Sequence, residues 1–148
     1  MDKLSWIPVA IAGLTFYGCI TDKEAKAPAP YKEMYMVGDA TPVGWNIKQP
    51  DTLKQDPGNP YLWHWHGVLY PGELKFPTYA GTWSADFFMP LNPAQKDLSL
   101  TTTRLVINGT PDNKWMVTDS TKGEYDIVLD TRTPAIHFKR LGDIPILE

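Results

Sequence analysis

The chain has 148 residues, 43% of them hydrophobic and 21% charged, which leaves room for one folded domain and excludes wholesale disorder. A formal net charge of −3 gives no basic surface of the kind phosphate backbones need, so nucleic acid is not expected as a partner. Fourteen prolines favour short strands joined by turns, and six tryptophans exceed what so small a core needs, so some indoles should be exposed.

Residues 1–18 read as an export signal. Met1-Asp2-Lys3 is a short charged start, and Leu4–Tyr17 carries no charge. That stretch is too short to span a bilayer as a helix but fits the apolar segment of a signal peptide. Gly18-Cys19 then places a small residue before the only cysteine, as at a bacterial lipoprotein cleavage site. Cys19 is therefore expected to carry a lipid anchor, and one cysteine excludes an internal disulfide. Residues 19–30 are charged and rich in Ala and Pro, a tether rather than part of a core.

From Tyr31 the hydrophobic period is two. Tyr61–Tyr70 places Tyr61, Trp63, Trp65 and Leu69 on one face, with Leu62, His64, His66 and Val68 on the other. Gly123–Asp130 alternates in the same way, with Tyr125, Ile127 and Leu129 inward. Shorter strands are expected at Met34–Val37, Leu74–Phe76, Asp86–Met89, Leu105–Ile107, Trp115–Val117 and Ala135–Lys139. Asp56-Pro-Gly-Asn-Pro60, Pro71-Gly72, Asn108-Gly109 and Lys122-Gly123 mark turns between them. Many short strands with frequent turns point to an all-β, immunoglobulin-like β-sandwich over residues 31–140, with residues 141–148 a last strand or a tail.

Tyr35-Met-Val-Gly-Asp-Ala-Thr-Pro-Val-Gly-Trp-Asn46 resembles the opening of the repeated domains in the SusE and SusF family of starch-utilisation lipoproteins. Asn59-Pro-Tyr61, Gly72–Pro77, Gly81–Met89, Asp112–Trp115 and Gly123–Asp130 follow in that family's order. The resemblance covers about Tyr31 to Lys139. It implies a non-catalytic carbohydrate-binding module without cofactor, lipid-anchored on the outer membrane beside a transporter of polysaccharide fragments. Family members usually carry several such domains in tandem, and the ligand here need not be starch.

A pyranose offers C–H groups on its faces and hydroxyls at its rim, so its site needs an aromatic plate and polar side chains around it. Trp45 is the first plate, since Pro42-Val-Gly44 before it lies outside any alternating strand. The resemblance assigns the tryptophan of this Gly-Trp-Asn motif to stacking on glucose, and a basic residue at the position of Lys75 to the hydroxyls. Alternation puts Lys75 on the outer face, between inward Leu74 and Phe76. Trp83, between small residues, is a second plate, with Tyr79 and Asp86 as rim contacts. Asn113 and Lys114 read as structural turn residues, and Trp63, Trp65 and Trp115 as core.

No metal site is expected: His64 and His66 share a strand face, but zinc needs more ligands and only His137 remains among the histidines. The acids are scattered, and no nucleophile or phosphate-cradling motif is present, so no enzyme is expected. The other class left open is a structural or adaptor sandwich that docks on another outer-membrane protein, with Trp45 and Trp83 as interface anchors.

Overall fold

The computed structural model describes residues 26–147. The expected signal peptide, Cys19 and the first half of the tether lie outside the described residues. Lys26–Pro30 has no regular structure, yet the Pro28 carbonyl accepts a hydrogen bond from the Tyr61 hydroxyl at 2.9 Å. The end of the tether is thus pinned to the domain.

The described part is all-β, as its sequence predicts. Strands β1 (Tyr35–Met36), β2 (Asp51–Thr52), β3 (Lys54–Gln55) and β4 (Leu62–Leu69) come first. Then follow β5 (Gly72–Leu74), β6 (Phe76–Pro77), β7 (Phe87–Pro90) and β8 (Ala94–Gln95). The last are β9 (Thr103–Val106), β10 (Lys114–Val117), β11 (Gly123–Asp130) and β12 (Ala135–Gly142). A 3-10 turn at Ile107–Gly109 is the only helical element among the described residues, and no helix there is long and apolar enough to cross a membrane.

The largest sheet has the order β12-β11-β4-β3, and smaller sheets join β1-β2, β5-β10-β8 and β6-β7-β9. All pairs are antiparallel except β10 with β8. Antiparallel register sets Trp63 opposite Leu129 and Trp65 opposite Ile127. These inward rows pack with Leu74, Phe76, Phe88 and Trp115 of the smaller sheets in one core. Trp63, Trp65 and Trp115 are core residues, as expected. The Trp65 indole N–H donates to the Asp51 carboxylate at 2.8 Å.

Strand β7 reads Phe-Phe-Met-Pro with no polar partner in alternation, because both of its faces are covered. Phe88 points to the main core, while Phe87 and Met89 join Val37, Ile47, Ala85 and Val106 in a second, smaller one. The second core lies beneath the candidate site.

The expected Leu74–Phe76 strand is broken at Lys75, which forms a separate bridge to Val37. Strands β2, β3 and β8 were not legible, since two residues show no period. Strand β12 runs past Lys139 to Gly142, and residues 143–147 form no strand. Its outer edge is tied to the chain at Thr101, where Ile136 donates a backbone hydrogen bond, and further along carries exposed Lys139 and Arg140. Charges of that kind discourage edge-to-edge pairing.

Candidate functional site

Trp45 follows a loop that its own backbone stitches shut. The Gly38 N–H donates to the Gly44 carbonyl at 2.9 Å, and Thr41 returns its N–H and hydroxyl to the Gly38 carbonyl. Gly38 has φ of 143°, and a Cβ there would lie 2.0 Å from the Glu73 carbonyl oxygen. Only glycine lets the loop press so close to β5. The Asp39 carboxylate accepts the Glu73 N–H at 2.6 Å, and the Ala40 N–H donates to the Glu73 carbonyl. Trp45 leaves this anchored loop 37% exposed.

Trp83 comes from the loop between β6 and β7. The Thr78 N–H and hydroxyl both donate to the Asp86 carbonyl across the loop's base. At its tip the Gly81 N–H donates to the Ile47 carbonyl at 2.7 Å, joining the two tryptophan-bearing segments. The indoles of Trp45 and Trp83 stand 6.2 Å apart with planes inclined by 52°. Trp83 also stacks on Phe87 with planes 8° apart, so one of its faces is backed by the second core while the residue stays 46% exposed.

Lys75 corrects the sequence reading. Alternation gave its face rightly, opposite to Leu74 and Phe76, but that face is covered and Lys75 is only 5% exposed. Its ammonium lies 4.2 Å from the Phe87 ring centroid, 5.3 Å from that of Trp83 and 6.0 Å from that of Trp45. Rings around a cation attract it through their quadrupoles, by about 0.5–2 kcal/mol each at most. The ammonium donates to the Asp112 carboxylate at 2.6 Å, its one hydrogen-bond acceptor among the described residues. An ammonium has three N–H groups, so two have no hydrogen-bond acceptor among the described residues.

Asp112, like Glu73 and Lys114, was not among the expected site residues. It sits in the turn before β10, which the buried Asn113 holds by donating its side-chain amide to the Pro90 and Leu91 carbonyls. One Asp112 oxygen takes Lys75 and the other takes Lys114 at 2.8 Å. Partial burial raises the Asp112 pKa, but hydrogen bonds from Lys114 and Lys75, and their charges, outweigh this and hold it below the ordinary value. A depressed carboxyl pKa contributes stability above the unfolded-state value that is lost as pH falls through the folded-state one. Asp112→Asn should therefore lose less stability than wild type between neutral pH and the acid side of pH 3.8, the ordinary value. Melting curves across that range check it.

Together Trp45, Glu73, Lys75, Trp83, Asp112 and Lys114 line a pocket of about 340 Å³. Three of the expected residues thus converge, joined by Lys114, which the sequence reading had taken as structural. Tyr79 and Asp86 do not line it. The Tyr79 hydroxyl donates to the Ser84 carbonyl within its own loop, and the Asp86 carboxylate accepts the Asn108 N–H. Both hold the Trp83 loop in place.

The histidines lie elsewhere. His64 pairs with Asp56 at 3.0 Å, and His66 bridges Glu124 and Asp126. Among the described residues no group of three or more His, Cys, Asp or Glu side chains is placed to hold a metal ion.

Comparison with protein-family models, curated proteins and solved structures finds no match.

Proposed function

We propose that the chain is a non-catalytic glycan-binding lipoprotein of the outer membrane, its domain an immunoglobulin-like carbohydrate-binding sandwich. In this reading it captures starch-like or other polysaccharide chains at the cell surface and passes them to a transporter complex. The observation that carries the reading is the meeting of Trp45, Trp83 and the buried Lys75 ammonium at one pocket. Two inclined indole plates suit the C–H faces of successive sugars. The spare N–H groups of Lys75 suit hydroxyl rims, and the Glu73 and Asp112 carboxylates are acceptors beside them. The SusE- and SusF-like motif order and the lipoprotein-like start agree with this reading.

Lys75→Met separates ligand binding from packing. The methionine stem still fills the space over Phe87, and Asp112 keeps Lys114 as its partner. Losing a charged donor should weaken glycan affinity by about 1.5–3 kcal/mol, with a lower melting temperature from the lost ring and Asp112 contacts, so binding is read well below the melt. Titration calorimetry beside a thermal melt reads both, and unchanged affinity would remove Lys75 from the site.

A further inference from the structure

A second concavity, of about 810 Å³, lies away from Trp45 and Trp83, on the outer face of the β12-β11-β4-β3 sheet. Register builds its floor. One row crosses all four strands as Lys54, His64, Val128 and His137. The next row sets His66 and Lys139 on either side of Asp126.

Both acids in this groove hold hydrogen-bond partners, and Asp126 alone of the two is paired with an ionisable group. Asp51 accepts from the Trp65 indole at 2.8 Å, and Asp126 is bound by His66 at 2.7 Å. The hydrogen bond that His66 donates to Asp126 raises its pKa, burial opposes this, and the charges of Asp126 and Glu124 add to the rise. By contrast, the side chains of Lys54, His137 and Lys139 have no hydrogen-bond or ion-pair partner among the described residues. What the groove leaves for a ligand is a set of donors at its two ends. Lys54 and Lys139 stand on its outermost strands, three strand spacings and one row apart, or roughly 16 Å.

From this we infer a second binding site, independent of the tryptophan pocket, for an extended anionic sugar chain that lies across the sheet. Two sparse cations match a chain with one acidic group every few sugars. They do not match a phosphate backbone, which carries a charge about every 3.4 Å per strand. Ring faces of such a chain rest on Val128 and the imidazoles, while its acidic groups meet Lys54 and Lys139.

Calorimetry with two hexasaccharides that carry a uronate or a sulfate every few sugars, maltohexaose and a short DNA duplex tests the site on the whole chain. At least one anionic sugar should bind, and the tighter of the two names the acidic group. Lys54→Ala/Lys139→Ala should weaken that binding about tenfold or more, as should about 0.5 M salt. Trp45→Ala should leave it intact, whereas maltohexaose binding should show the reverse dependence on the two variants. Because both lysines are exposed, a melt near wild type is expected for the double variant, and Lys54→Gln/Lys139→Gln repeats the test if it is not. The site is refuted if neither anionic sugar binds, if the double variants bind it as wild type does, or if the duplex binds as tightly.

Discussion

Trp45→Ala is expected to weaken glycan binding by about 2 kcal/mol or more, roughly thirtyfold in affinity. Its ring is exposed at the end of a loop held by backbone bonds among Gly38, Thr41 and Gly44. Removal should therefore cost affinity without disturbing the fold, since exposed substitutions usually stay within about 0.5 kcal/mol. Trp83→Ala should cost as much binding but somewhat more stability, because it also strips the stacked cover from Phe87. Calorimetry and thermal melts on the same samples separate the two effects. A Trp45→Ala protein that binds normally and melts far lower would make the residue a structural plug.

Trp115→Ala should do the opposite. The residue is fully buried, with its ring edge-on to Phe76 at 5.4 Å and tilted against Phe138 at 5.8 Å. Truncating it opens a cavity where the four-stranded sheet meets the smaller ones, at a cost of about 3–5 kcal/mol. Trp115→Phe should be much milder. It keeps most of the ring and removes an indole N–H that meets no acceptor among the described residues. Denaturant unfolding reads both variants, and equal losses would show that the N–H matters more than the volume.

The sequence carried the long strands because alternation over eight residues, as in β4 and β11, records which face is covered. It carried Trp45 and Trp83 because small and turn-forming neighbours take an indole out of a strand. Alternation assigns a side chain to a face but does not say what lies over that face. Lys75 was therefore placed on the right side and given the wrong exposure. What covers it comes from loops distant in sequence, one ending at Trp45 and one carrying Trp83. Asp112 was missed for a related reason: its partner Lys75 is 37 positions away, and an acid in a turn is ordinary until the turn is brought to β5. The row of Lys54, His64, Val128 and His137 is likewise a product of register among four strands, which no single segment reveals.

The central claim is that the pocket between Trp45, Trp83 and Lys75 holds a sugar chain. Native electrophoresis of the protein in gels cast with starch, other glucans and fructans tests it most directly. The account predicts retarded migration in at least one polysaccharide gel, lost in Trp45→Ala and retained in Lys54→Ala/Lys139→Ala. Unretarded migration of the wild type in every gel would contradict it and leave the exposed tryptophans as anchors for another protein.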